Sequence, residues 1–189
     1  MENSNSLFDQ NFAMLSPNER LTLQSYFKTE TLQKNDFFTQ ADRVCNRFSI
    51  IKSGILRIYA LHDGKEITQW IAGENHIITE VMGFFFDRPN RFHIQAFTEV
   101  ELLTLHKKDY HKVCMDFPQW NSFEKELIAS CIATMEQRIF SHLSLSAEER
   151  YQLYYEKNKN LFNQVPLQYI ASLLGMSPET LSRIRNKVQ

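Results

Sequence analysis

Leu167-Gln168-Tyr169-Ile170-Ala171-Ser172-Leu173-Leu174-Gly175-Met176-Ser177-Pro178-Glu179-Thr180-Leu181-Ser182-Arg183-Ile184-Arg185-Asn186 is the stretch on which the reading of this 189-residue chain turns. Its spacing is that of two short helices joined by a tight turn. Ala171 is small where two helices cross closely. Four residues on, Gly175 supplies the left-handed conformation that ends a helix. Ser177 is an N-cap residue and Pro178 suits the first helical position, so a second helix starts there. Ile170, Leu174, Met176, Leu181 and Ile184 fall at the spacings of a small core between the two helices. The pattern is a helix-turn-helix.

Glu179, Thr180, Ser182, Arg183, Asn186 and Lys187 remain on the outside of the second helix. In this motif the second helix lies in the DNA major groove, with its early residues at base edges. Arg183 has the two-pronged guanidinium that bonds O6 and N7 of guanine, and Glu179 suits the amino group of cytosine. Thr180, Ser182 and the amide end of the helix suit phosphates, as do Ser177 and Gln168 on the motif's approach side. The same residues also fit a solvated helix face.

Upstream, roughly Gln119 to Leu143 runs without Gly or Pro. Within it Ile128, Ile132, Met135 and Ile139 step by four, three and four, an a/d heptad seam that Leu127, Cys131 and Leu143 widen. Such a seam serves either an intramolecular core or a dimer interface. A helix of about 25 residues is about 37 Å long, more than a small β domain covers, which favours self-association. Ser146-Ala147-Glu148-Glu149 then reads as a capping box opening a helix through Tyr151, Leu153 and Tyr154, broken at Asn158-Lys159-Asn160.

From about Thr31 to Leu105 the texture is short β-type runs: Phe48 to Ile51, Ile55 to Tyr59, Glu66 to Ile71, Phe92 to Ala96 and Val100 to Leu105. Asp63-Gly64 is the strongest hairpin signal, because both residues tolerate positive φ. Strands separated by turns predict a β-sandwich or β-roll rather than a βαβ sheet. A short helix is expected over Lys107–Met115, ended by Pro118. At the other end, Ser16-Pro17-Asn18-Glu19 is another capping box. It opens a helix with Leu21, Leu23 and Phe27 as its apolar positions, and the residues before Ser16 read as mobile.

Composition narrows the classes. With 43% hydrophobic and 23% charged residues the chain is an ordinary globular protein. Lys+Arg 21 against Asp+Glu 22 gives −1, which by itself argues against a nucleic-acid coat. The distribution reverses that. From Asn160 to Gln189 three basic residues face the single acid Glu179, a formal +2, leaving −3 for the remainder. Cys45, Cys114 and Cys131 fit no metal spacing and read as reduced thiols. No signal peptide is seen in Met1-Glu2-Asn3-Ser4-Asn5-Ser6, and no apolar run nears the ~20 residues of a membrane span. The expected location is the cytoplasm.

Taken together these residues resemble the Crp/Fnr superfamily, the cyclic-AMP receptor protein-like transcription regulators, and within it the group common in Bacteroidetes. Phe48-Ser49-Ile50-Ile51-Lys52-Ser53-Gly54-Ile55-Leu56-Arg57 and Gly64-Lys65-Glu66-Ile67-Thr68 match the family's β part. Pro178-Glu179-Thr180-Leu181-Ser182-Arg183 matches its E-T-[VL]-S-R recognition helix. The resemblance implies an α+β fold. Residues 1–118 form a cyclic-nucleotide-binding-like β-roll sensor domain, 119–144 a dimerisation helix, and 145–189 a helix-turn-helix DNA-binding domain. Glu179 and Arg183 take the base-reading places. The chain stops at Gln189, directly after the recognition helix, so the β-hairpin wing that usually follows is expected to be truncated.

The effector site matches less well. Members that bind cyclic nucleotides carry Gly-Glu and, about ten residues on, Arg-Ser/Thr-Ala. The glutamate holds the ribose hydroxyl and the arginine the cyclic phosphate. Here the pair is Thr79-Glu80, and the candidate arginine is Arg91, followed by Phe92-His93, with Arg88 slightly early. Thr79 adds a side chain where backbone should approach a phosphate, so the domain is expected not to bind cyclic AMP. Phe84-Phe85-Phe86 reads either as core, as the lining of an apolar effector pocket, or as a surface pressed on the dimer helix. A metal-dependent cupin enzyme is the rival from another class: His76 and Glu80 stand four apart, but no His-x-His pair exists among the six histidines. The expected protein is therefore no enzyme and carries no metal or cofactor. It is a homodimeric regulator whose partners are double-stranded DNA, a second copy, RNA polymerase and an unidentified small-molecule effector. Two alternatives stand beside it: a signalling module with a vestigial helix-turn-helix, and a cyclic-nucleotide-responsive regulator.

Overall fold

The computed structural model describes residues 11–188, without the side chain of Val188. The stretch before Ser16 that reads as mobile lies outside the described residues up to Gln10. From Asn11 the chain is ordered, and Phe12 and Leu15 are buried in the core, so order begins before Ser16.

Helix α1 (Pro17–Gln24) opens with the expected capping box: the Ser16 hydroxyl accepts the Glu19 N–H, and Glu19 reaches back to the Ser16 N–H at 2.8 Å. It ends at Gln24, three residues before Phe27, and the C-cap Ser25 hydroxyl donates to the Thr22 carbonyl. Phe27 is not a helix residue. It starts strand β1 (Phe27–Leu32), paired antiparallel with β8 (Val100–His106), Phe27 opposite Leu105. Pairing with a buried strand outweighs the helical spacing of Leu23 and Phe27. Leu21, counted as an apolar helix position, is 63% exposed.

Between these two strands lie β2 (Phe37–Thr39), β3 (Arg47–Ser53), β4 (Leu56–His62), β5 (Lys65–Ala72), β6 (Ile77–Ile78), helix α2 (Val81–Phe86) and β7 (His93–Ala96). They form two four-stranded sheets, ordered β1-β8-β3-β6 and β2-β7-β4-β5, neither closed on itself. Asp63 and Gly64 turn the β4–β5 hairpin with φ of 50° and 71°, the double positive φ of a two-residue hairpin turn. Helices α3 (Lys107–Asp116), α4 (Trp120–Ser144) and α5 (Ala147–Asn158) follow, then a 3-10 turn (Lys159–Asn163), α6 (Leu167–Leu173) and α7 (Pro178–Val188).

The chain divides into two compact units: residues 1–60 with 71–127, and 61–70 with 128–189. The first is built on an aromatic core in which Trp120 stacks on Phe12 at 5.7 Å and meets Phe48 and Phe123. Of the phenylalanine triplet, Phe84 is fully in this core, Phe85 packs against it, and Phe86 is exposed. The second unit comprises the hairpin tip, the distal part of α4, and the helices after it. There Tyr151, Tyr154 and Tyr155 pack around Phe162. Ser146 and Glu149 cap α5 reciprocally. No helix among the described residues is long and apolar enough to cross a membrane.

Candidate nucleic-acid interface

Helix α6 ends in a Schellman motif: the Met176 N–H donates to the Ala171 carbonyl and the Gly175 N–H to that of Ser172. Gly175 holds φ +65°, and an added Cβ there would lie 3.1 Å from the His142 ring. Only glycine suits both conditions. Two residues later the Ser177 hydroxyl accepts the Thr180 N–H at 3.2 Å and caps α7. Ile170, Ala171, Leu174, Leu181 and Ile184 are buried between the elements, with Met176 half-buried.

The opposite side of α7 is exposed. Pro178, Glu179, Ser182, Arg183, Asn186 and Lys187 line one shallow, open groove along it. Five of the residues read as DNA-contacting therefore share a face. Thr180 is half-buried, with its hydroxyl accepting from Ser177. Gln168 is exposed on the first turn of α6. The Ser177 hydroxyl and its own backbone N–H hold the Glu179 carboxyl below its ordinary value, so at neutral pH it is an acceptor only. The face thus offers a fork donor, an amide, a hydroxyl, an ammonium and a carboxylate acceptor.

On α4, Ile128, Ile132, Met135 and Ile139 are 51%, 47%, 48% and 61% exposed, an apolar stripe without cover in the single chain. Leu127, by contrast, packs on the aromatic core.

The two effector candidates are engaged otherwise. Glu80 is buried, and its carboxylate caps α2, accepting the Gly83 N–H at 2.9 Å and the Arg91 N–H at 3.3 Å. Arg91 meets Glu80 through its backbone only. Its guanidinium is exposed and lies 5.5 Å from the Phe92 ring. The Thr79 hydroxyl is turned to the Arg47 carbonyl. Glu80 is thus a buried helix cap. Among the described residues no group of three or more His, Cys, Asp and Glu gathers as a metal site.

Residues 29–117 match the cyclic nucleotide-binding domain family. Among solved structures, the Thermus thermophilus catabolite activator protein shares 24% identity with a TM-score of 0.60, over 94% of this chain and 85% of that one. FixK2 from Bradyrhizobium japonicum shares 15% with a TM-score of 0.75, over 86% and 84%. A putative transcriptional regulator of the Crp/Fnr family from Eubacterium rectale shares 17% with a TM-score of 0.73, over 95% and 86%. These likenesses establish the fold. Among curated proteins none matches the chain in sequence. Within the matched stretch, the Glu80 carboxylate caps α2 and the Arg91 guanidinium lies on the surface near the Phe92 ring.

Sequence reasoning missed the arginines behind the reading face. Arg150 donates to the Leu174 carbonyl at 3.0 Å and to Leu145 at 2.6 Å, while Arg138 donates to the Leu173 carbonyl at 3.2 Å. Both satisfy carbonyls at the end of α6 and oppose its negative pole. Their partners lie 24 and 35 residues away, so no local spacing announces them.

Proposed function

We propose that the protein is a transcription regulator of the Crp/Fnr type, of the group common in Bacteroidetes, that binds DNA sequence-specifically as a homodimer. The α6–turn–α7 segment is its helix-turn-helix. The observation that carries this reading is the single exposed face of α7, on which Glu179, Ser182, Arg183, Asn186 and Lys187 stand clear of the helix's buried side. Laid in a major groove, this face puts Glu179 and Arg183 at base edges, while Gln168, Ser177, Thr180, Ser182, Asn186 and Lys187 serve the phosphates around them. The stripe from Ile128 to Ile139 pairs with the same stripe of a second copy, and the two reading helices then meet half-sites of an inverted repeat about 34 Å apart.

The sensor domain works without cyclic AMP: the Glu80 carboxylate is engaged in capping α2, and Thr79 adds a side chain where backbone would approach a phosphate. An effector of another kind acts by changing how the α4 helices pair, and RNA polymerase is the downstream partner. The protein is not an enzyme and acts in the cytoplasm.

A gel shift on an inverted-repeat duplex, selected from random DNA, tests the proposal across salt concentrations. Binding is expected, falling steeply with salt as released counterions are replaced. No salt-sensitive shift on any selected duplex contradicts it.

A further inference from the structure

The second unit includes the tip of the β4–β5 hairpin, and two separate bonds fasten that tip to the helix-turn-helix. The Thr68 N–H, in a residue only 1% exposed, donates to the Ser172 hydroxyl at 2.9 Å. Arg138, on α4, splits its guanidinium between two elements. One nitrogen donates to the Gln69 carbonyl on β5, the other to the Leu173 carbonyl at the end of α6. The Trp70 ring lies 5.9 Å from the guanidinium carbon, and the Ser141 hydroxyl donates to the Arg138 carbonyl. β5 is the last strand in the order of its sheet, the place where backbone groups are open to a further partner. Burial and the neighbouring Tyr154 act in opposite senses on Arg138, which stays charged throughout.

Two facts separate this arrangement from ordinary packing. A rigid guanidinium fork fixes the direction of both acceptors at once, which a lysine or an apolar contact does not. The bonds also grip α6 away from the groove on α7, whose lining contains no hairpin residue and not Arg138. A change at Arg138 therefore reaches DNA only by re-aiming the head.

The geometry points to a latch: Arg138 is a positioning residue that, with the Thr68–Ser172 bond, fastens the β4–β5 hairpin to α6 and holds the DNA-reading helix in one orientation. The proposal rests on the DNA-binding reading. It adds to that reading a fastening made wholly within the second unit, between residues of 61–70, α4 and α6.

The test uses the full chain with Arg138→Ala, Arg138→Lys and Ser172→Ala. In amide hydrogen exchange on the free protein, Arg138→Ala and Ser172→Ala are expected to lower protection at Thr68 and along α6, leaving β3 and β8 unchanged. Against the selected duplex, Arg138→Ala is expected to weaken binding about tenfold, the scale of one charge-assisted bond. Affinity for random DNA and its salt dependence stay the same, and Arg138→Lys recovers part of the loss. A head that has merely unfolded loses both kinds of binding together, and that result overturns the positioning role. So does an Arg138→Ala protein with full specific affinity. If the unaltered protein binds no selected duplex, the DNA reading falls, and unchanged exchange at Thr68 then overturns the latch independently.

Discussion

Ile132→Asp places a carboxylate in the middle of the apolar stripe on α4. Fully burying an isoleucine is worth about 1.5–3 kcal/mol. With 47% of Ile132 still exposed in the single chain, covering it with a second copy gains about 1 kcal/mol per protomer. The symmetric interface loses this twice, about 2 kcal/mol. It must also desolvate two carboxylates that face each other, at a further ~1–3 kcal/mol each even after partial rehydration. The sum exceeds ~4 kcal/mol, about a thousandfold in the dimer dissociation constant. Because the position is half-exposed, the monomer's own fold should be spared, with circular dichroism and thermal midpoint close to those of the unaltered chain. Sedimentation over a concentration series should show the unaltered protein as a dimer and the variant as a monomer. Specific DNA binding should disappear with dimerisation. A variant that dimerises normally, or a monomeric one that binds the inverted repeat with full affinity, refutes the reasoning.

Leu181→Ala removes a fully buried side chain from the small core of the second unit. It should cost about 2–5 kcal/mol there, read as lost exchange protection in α6 and α7 with the β3–β8 pairing intact. Isothermal titration with cyclic AMP and cyclic GMP should show no micromolar binding. Glu80→Ala, which strips the cap from α2, should lower stability by about 1–3 kcal/mol without altering DNA affinity. The carboxyls of Glu19 and Glu149 lie below their ordinary 4.5 because serine hydroxyls hydrogen-bond them. Their contribution is full above that value and is lost as pH falls through the lower folded one. A Ser16→Ala/Ser146→Ala protein should therefore show a shallower acid fall in thermal midpoint as pH drops through and below 4.5, and an unchanged acid limb contradicts this.

What could be read from the sequence was local. The two capping boxes, the Asp63-Gly64 turn and the Gly175-to-Pro178 turn each draw their energetics from residues within five positions, and each stands where the spacing put it. The gap-free helix from Trp120 to Ser144 was legible for the same reason, and its seam from the heptad step. Phe27 was misread because its strand exists only through β8, more than 70 residues away. Glu80 was legible as a carboxylate in the right place. Its commitment to Gly83 and Arg91 depends on α2 forming immediately after it, which Val81-Met82-Gly83 does not advertise. Of the reading head, the face was in the sequence and the fastening was not. Arg138 and Arg150 act through backbone carbonyls, which carry no residue-specific signal.

The charge distribution fits the same division. On the proposed reading, a head with a formal +2 would supply modest non-specific attraction, leaving discrimination to a few side chains on α7. Selection of bound sequences from a random DNA pool, run in parallel with the unaltered protein and with Arg183→Ala, measures that directly. The unaltered protein should recover an inverted repeat with half-sites about one helical turn apart. Arg183→Ala should recover the same spacing with preference relaxed at one guanine in each half-site, at a cost of about 1–3 kcal/mol. Recovery of no shared sequence by the unaltered protein, or an identical motif from both, contradicts the assignment of α7 as the DNA-reading helix.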